Sequence, residues 1–354
     1  MLNKEIKHVD EYIKSVTQKV VTRKTKSNIV LYRGENQIYS TSCVPNIFRE
    51  DYLKNYAFFE KNIFDEMKAN KLSKGNNYLE NAISAQHDGF PSRLLDVTYN
   101  SLVALYFACT PYYRKSETEY DTKDGKVIVF FIDKLFCPTG ENITNNYDDI
   151  VLGKQGFINH CVFSKNHKLI DHIKINNRII AQQGAFIMFQ GKEFECLPQY
   201  MYEEILIPGK SKPILRKELK DLFGIYTGSI YPEPENLIDE IKRKTLNIEN
   251  SDYSLKSELT LLLYNLECET DYYLSLVFNN RQQYMVHIKE FEKTVRSYQL
   301  GLQDVLKEEN SDKKTAEWAI KRYNELIMAS FKDIGLFFKG EIELSAEYYL
   351  IQGV

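Results

Sequence analysis

The stretch that decides the fold spans residues 86–98 and reads Gln-His-Asp-Gly-Phe-Pro-Ser-Arg-Leu-Leu-Asp-Val-Thr. Gly89 suits the left-handed residue that follows a helix, and Pro91 pushes the residue before it out of helical space. The sequence therefore predicts that a helix over residues 78–87 ends here and that an extended segment begins at Arg93.

The segments around this stretch alternate between helical and extended patterns. Residues 100–109 are apolar on nearly every face of a helix, which is typical of a buried helix, and Thr98 or Asn100 could cap it. Further helices are predicted at residues 5–20, 52–67, 214–223 and 234–243. Continuous apolar or β-branched runs predict strands at residues 29–32, 126–133, 184–189 and 204–207. This order predicts an α+β domain with a mixed β-sheet and flanking helices.

The pattern changes after the polar segment 245–252, beyond which it is helical alone. From Ile288 to Val305, apolar residues recur in steps of three and four, as in a coiled-coil seam, and another long helix is predicted over residues 318–338. We therefore expect an α+β domain over residues 1–245. An all-α antiparallel helical region over 250–354 follows it, as a coiled-coil-like hairpin that could form a homodimer.

Composition excludes several classes of protein. The 354 residues carry 46 basic and 49 acidic side chains, a formal net charge of -3, so no global basic surface for nucleic acid is expected. The six cysteines form no Cys-x-x-Cys pair, which argues against a zinc ribbon, and no metal site is expected. The amino-terminal residues lack a signal-peptide core and the apolar runs are too short for a bilayer. We therefore expect a cytoplasmic protein without a membrane partner.

Two polar clusters follow predicted elements, where functional groups commonly lie. The first predicted strand ends with Tyr32 and is followed by Arg33 and Gly34. The guanidinium suits phosphate or carboxylate, and the glycine allows a ligand or another backbone to come close.

The second cluster is the stretch 86–98 itself, which holds Gln86, His87, Arg93, Asp96 and Thr98. His87 lies at a helix end, where a positive charge is favoured. Asp96 and Thr98 precede the buried helix, whose free N–H groups could hold an anion. A third, weaker cluster is Gln-Gln-Gly at residues 182–184.

The order of these motifs resembles the FRG domain family, which is named for its aromatic-Arg-Gly motif. The match runs from about Leu31 to Gly-Ser-Ile-Tyr-Pro at residues 228–232, with Leu-Val-Ala-Leu-Tyr-Phe-Ala from residue 102 between the clusters. Ser92 and Val97 depart from the threonine and tryptophan that the family commonly carries. By matching position, the resemblance implies that the polar signature falls on Arg33, Gln86, His87, Arg93, Asp96 and Gln183. It also implies a microbial role in defence or stress.

Three functions stay open. The first is an ADP-ribosyltransferase-like enzyme that uses NAD as a substrate and modifies a macromolecular target. Such enzymes carry an Arg, then Ser-Thr-Ser, then Glu-x-Glu. This chain has Arg33, Ser-Thr-Ser at 40–42 and Glu-Phe-Glu at 193–195, although the Ser-Thr-Ser follows Arg33 too closely. The second is a non-catalytic sensor of a nucleotide-like small molecule, and the third is a structural partner protein.

The expected site combines both clusters with the later motifs. As catalytic groups we expect His87, Asp96 and Glu195. The ligand is expected to contact Tyr32, Arg33, Gly34, Gln86, Arg93, Thr98 and Gln183.

Overall fold

A computed structural model describes residues 5–56, 58–73, 75–112, 116, 118–154, 161–171, 174–246, 254–275, 281–307, 313–337 and 345–352. Its contacts divide the chain into two compact units, 1–245 and 246–354. Within the described residues, no helix is long and apolar enough to cross a membrane.

The first unit is built on a six-stranded sheet in the order β4-β5-β2-β1-β3-β6. Its strands are β1 (Asn28–Glu35), β2 (Leu94–Thr98), β3 (Gly125–Asp133), β4 (Lys168–Ile170), β5 (Gly184–Met188) and β6 (Tyr202–Ile207). The α+β class is confirmed, but the sheet is not mixed, because every pairing among these strands is antiparallel. The helix between β2 and β3 does join two strands of like direction. These strands are not neighbours, however, since β1 lies between them.

Loops and short 3-10 turns cover one face of the sheet, whereas the α-helices that pack on the sheet lie on the other face. Ten α-helices are described in this unit. They are α1 (Val9–Arg23), α2 (Tyr52–Asn55), α3 (Phe59–Ala69), α4 (Tyr78–Asp88), α5 (Ser101–Cys109), α6 (Gly140–Val151), α7 (Asn177–Ala181), α8 (Lys212–Phe223), α9 (Thr227–Ile230) and α10 (Pro234–Leu246). Strand β3 is buried on both faces, as its unbroken apolar run predicts. Val127 and Val129 pack in the core that contains residues of α1, α5 and α8, whereas Ile128 and Phe130 pack in a second core.

The stretch 86–98 forms the predicted helix end and strand. Gly89 ends α4 with a left-handed φ of 84°. Asn100 caps α5, because its side-chain oxygen accepts hydrogen bonds from the N–H groups of Leu102 and Val103. The local turn chemistry therefore fixes the geometry at both ends of β2.

Two glycines let helix α5 lie directly on the sheet. A Cβ atom on Gly34 would come within 1.9 Å of the carbonyl oxygen of Ala104, and one on Gly125 within 2.5 Å of that of Ala108. No side chain fits at these distances without moving the helix. The close approach at Gly34 is thus made by another part of the protein backbone.

The described residues of the second unit form three long helices, α11 (Leu255–Ser275), α12 (Arg281–Leu306) and α13 (Lys313–Phe337), where a hairpin was expected. They share one apolar core that includes Leu259, Phe291, Val295, Leu302 and Tyr323. The predicted turn at residues 309–312 lies outside the described residues. Each unit thus has its own core.

Candidate functional site

A cavity of about 490 Å³ opens in the first unit. Strand β1 pairs with β3 over all eight of its residues but with β2 only at Tyr32 and Thr98. The cavity lies beside this short pairing. Its walls come from Tyr32, Arg33, Gly34, Gln86, Gly89, Asp96, Val97, Thr98, Phe107, Tyr112, Arg178, Gln182 and Tyr231.

Arg33 provides a positive charge in this cavity. Its Nη1 donates to the backbone oxygen of Asp96 at 2.8 Å, and its Nε donates to Glu35 Oε1 at 3.3 Å. Nη2 makes no hydrogen bond within the part of the chain that the structure describes. Burial by itself lowers the pKa of Arg33, but the charge of Glu35 and other neighbours outweighs it and leaves the pKa raised. Arg33 therefore stays protonated and keeps one nitrogen available for a ligand.

Asp96 is held in place by an amide. Gln86 Nε2 donates to Asp96 Oδ2 at 2.8 Å, and Ser92 Oγ donates to Gln86 Oε1 at 2.6 Å. Ser92 is fully buried and supplies the hydroxyl that a threonine would also offer, so this departure from the family pattern preserves the contact. Among the described residues, no donor reaches Asp96 Oδ1. One carboxylate oxygen is thus fixed and the other is available.

The opposite wall is aromatic and carries a second arginine. The rings of Phe107 and Tyr112 meet that of Tyr231 edge-on, with centroids 6.2 and 6.1 Å away. The guanidinium of Arg178 lies 5.2 Å from the centroid of Tyr231, and its Nε donates to Glu233 Oε1 at 2.7 Å. Burial raises the pKa of Tyr231, so its hydroxyl stays neutral. This wall offers a flat apolar surface beside a charge that is already paired.

Thr98 lines the cavity but has a structural role. Its hydroxyl donates to the backbone oxygen of Gln182 at 2.6 Å and accepts from the N–H of Asn100 at 3.0 Å. The Gln-Gln-Gly motif contributes Gln182 to the cavity, whereas Gln183 is exposed with a positive φ of 48°. The predicted ligand contact at Gln183 therefore falls one residue from the amide that lines the cavity.

Arg93 lies elsewhere, in a buried network. It is 3% exposed, and its Nε and Nη2 donate to the carboxylate of Glu60 at distances of 2.5 to 3.0 Å. Its Nη1 donates to the backbone oxygens of Phe189 and Gly191, both at 3.1 Å. The hydroxyl of Tyr147 completes the network by donating to Glu60 at 2.6 Å. With its donors occupied in the core, Arg93 cannot contact a ligand in the cavity.

The Glu-x-Glu and Ser-Thr-Ser motifs also lie outside this cavity. The side chain of Glu193 is 71% exposed, and that of Glu195 is 40% exposed and 3.8 Å from Lys165. Ser42 donates to Glu35 at 2.7 Å and so ties its own loop to β1. Glu195, which we expected to be catalytic, therefore does not line this cavity. The side chain of His87 lies outside the described residues.

Two residues that line the cavity, Arg178 and Tyr231, are not among the residues expected from the sequence. Tyr231 falls in the Gly-Ser-Ile-Tyr-Pro segment that ends the resemblance, and that segment was its only signal. Arg178 lies on the five-residue helix α7, which is too short for a periodic pattern. Within the described residues, no cluster of three or more His, Cys, Asp or Glu side chains could hold a metal ion.

Comparison with known families identifies one domain within the first unit. The FRG domain model matches residues 28–117, and an FRG domain is therefore present in this chain. The matched segment runs from β1 to just beyond α5, so it includes Arg33, Gln86 and Asp96. No curated protein and no solved structure matches the chain.

Proposed function

We propose that the FRG domain of this chain binds a nucleotide-like anion in the cavity of about 490 Å³. One observation carries the proposal. The same cavity contains an unengaged nitrogen of Arg33, an unengaged oxygen of Asp96 and an aromatic wall. Its volume lies in the usual range for small-molecule sites, roughly 300–1,000 Å³.

Each group suits one part of such a ligand. A guanidinium makes charge-assisted hydrogen bonds to phosphate oxygens. A carboxylate oxygen accepts hydrogen bonds only, so Asp96 Oδ1 matches the hydroxyl groups of a ribose. A base can stack on Tyr231 or Phe107, and such stacking contributes about 1–3 kcal/mol per base.

The test compares Arg33 with an arginine outside the cavity. Arg23→Gln is the matched control, because Arg23 also pairs with a carboxylate, Glu203, at 3.0 Å. Isothermal titration with ADP-ribose, NAD and AMP should detect binding to the wild type and to Arg23→Gln. Arg33→Gln should weaken it about 10- to 100-fold, the loss expected for a hydrogen bond to a charged group. Absence of binding to the wild type, or equal binding by both variants, would contradict the proposal.

NAD cleavage is the second candidate, and the position of Asp96 favours it. Loss of nicotinamide places positive charge on the ribose C1′ and its ring oxygen, and a nearby carboxylate stabilises that charge. Asp96 is the one carboxylate among the cavity-lining residues that the structure describes. The leaving nicotinamide takes the bonding pair, and water or a target group then attacks C1′ and releases its proton to solvent.

Asp96→Asn distinguishes cleavage from binding, because it removes the charge and keeps the shape. We expect the wild type to release nicotinamide from NAD and Asp96→Asn to lose at least 100-fold in rate, while ADP-ribose still binds. If the wild type binds NAD and releases no nicotinamide, the domain is a nucleotide sensor and the catalytic candidate is wrong.

A further inference from the structure

A second cavity, of about 260 Å³, shares a wall with the first. Arg33, Gly34, Phe107, Tyr112 and Tyr231 line both. We call the second cavity the Arg49 lobe, because Arg49 lines this cavity and does not line the first. A ligand that passes Arg33 could therefore extend from one cavity into the other.

The Arg49 lobe contains a second arginine with unused donors. Arg49 Nε donates to the backbone oxygen of Val44 at 3.1 Å. Its Nη1 and Nη2 have no hydrogen-bond acceptor, and no carboxylate pairs with it, among the described residues. Burial lowers the pKa of Arg49 and the charge of Arg33 lowers it further, so the two guanidinium groups lie within each other's field.

Arg49 lacks a carboxylate partner in the lobe. The described carboxylate that lines the lobe is Glu35, which is 5% exposed. Glu35 already accepts from Ser42 Oγ at 2.7 Å, from the N–H of Cys43 at 3.1 Å and from Arg33. The charges of Glu35 and of Asp96 both act on Arg33, whereas Arg49 makes no ion pair with a described carboxylate. An anion in the lobe would supply the partner that Arg49 lacks.

Thr110 also lines the lobe and is 4% exposed. Its Oγ1 is buried and has no hydrogen-bond partner among the described residues. A buried polar atom without a partner costs free energy. The wall of the lobe beside the two arginines therefore includes a polar residue whose hydrogen-bonding capacity is unused.

We propose that the Arg49 lobe binds a second phosphate group, so that the domain is selective for a nucleoside diphosphate derivative over a nucleoside monophosphate. The inference rests on the proposed function and names its ligand class. The nucleoside and first phosphate occupy the larger cavity. The first phosphate contacts Arg33, and the second lies between Arg33 and Arg49.

The test measures how much the second phosphate contributes to affinity. Isothermal titration should show ADP-ribose binding the wild type about tenfold or more tightly than AMP, the increment of one charge-assisted contact. Arg49→Gln should remove that increment and leave AMP affinity within about twofold. Arg23→Gln should change neither. Arg49 is exposed, so its replacement should leave the melting temperature unchanged.

Inorganic pyrophosphate separates this inference from the proposed function. If pyrophosphate binds in an Arg49-dependent manner but no nucleotide does, the lobe is supported and the nucleotide proposal fails. If AMP and ADP-ribose bind equally well to the wild type, or if Arg49→Gln weakens both equally, the inference about the lobe is wrong while nucleotide binding stands. If none of these compounds binds, both are overturned.

Discussion

Replacing Arg93 with methionine should destabilise the first unit far more than the same replacement at Arg33. Arg93 donates from three nitrogens to Glu60 and to two backbone oxygens, all in the core. Without it, Glu60 is left as a buried carboxylate, 3% exposed, with the hydroxyl of Tyr147 as its remaining donor.

The expected magnitude follows from these contacts. Removing one partner of a buried ion pair costs about 3–5 kcal/mol of unfolding free energy. In a unit of this size, each kcal/mol lowers the melting temperature by about 2–4 °C, so Arg93→Met should lower it by roughly 6–20 °C. Arg33→Met removes the hydrogen bond to the backbone oxygen of Asp96, and Glu35 still accepts hydrogen bonds from Ser42 and Cys43. This replacement should cost only about 1–2 kcal/mol.

Thermal unfolding followed by circular dichroism measures both variants, and the double variant Glu60→Gln/Arg93→Met provides the control. Because the double variant no longer buries an unpaired charge, it should recover at least half of the lost stability. At a temperature where Arg93→Met is folded, it should still bind ADP-ribose. The reasoning is refuted if Arg93→Met melts within about 2 °C of the wild type, or if it is folded and cannot bind.

Three further predictions concern the fold. Gly34→Ala should prevent stable folding, because its Cβ would lie 1.9 Å from the carbonyl oxygen of Ala104; a wild-type melting curve would contradict this. Burial lowers the pKa of His167 from 6.5 to about 4, and its Nδ1 accepts a hydrogen bond from the N–H of Gln190 at 3.3 Å. Between these two pH values the imidazole therefore binds a proton in the unfolded chain but stays neutral in the folded chain. Stability should therefore be complete above about pH 6.5 and fall by up to about 3 kcal/mol towards pH 4, with a smaller slope for His167→Gln in urea titrations. A fragment of residues 1–245 should fold by itself, and an insoluble fragment or one without a cooperative melt would refute the boundary.

Local chemistry allowed the stretch 86–98 to be predicted correctly. A left-handed Gly89, the restriction imposed by Pro91 and the cap at Asn100 act over a few residues, so they can be read without knowing the fold. The burial of α5 was equally predictable, because its residues are apolar on every face. The antiparallel order of the sheet was not, since it depends on which strands meet in space.

The different roles of Arg33 and Arg93 could not be predicted from the sequence. Arg33 lies near the end of β1 and Arg93 directly precedes β2, each in a polar cluster, and both suit an anion. What distinguishes them is Glu60, which lies 33 residues before Arg93 and is buried on α3. The spacing of Glu60, Phe64 and Met67 places the glutamate on the buried face of α3, but it does not show which cation pairs with it. Its partner therefore emerges only from tertiary packing.

The three residues of the aromatic-Arg-Gly motif differ in role: two maintain the fold, and the arginine both maintains the fold and faces the cavity. Tyr32 makes the one pairing between β1 and β2, and Gly34 admits helix α5. Arg33 has both roles. Its Nη1 donates to the backbone oxygen of Asp96 where the pairing of β1 with β2 stops, and among the described residues its Nη2 has no acceptor, so it is available to a ligand. Loss of activity on mutation would not separate these roles, because most lining residues also maintain the cavity. Arg49 has unused donors and makes one hydrogen bond within the described residues, to the backbone oxygen of Val44. Its replacement should therefore change ligand affinity without changing the stability of the fold.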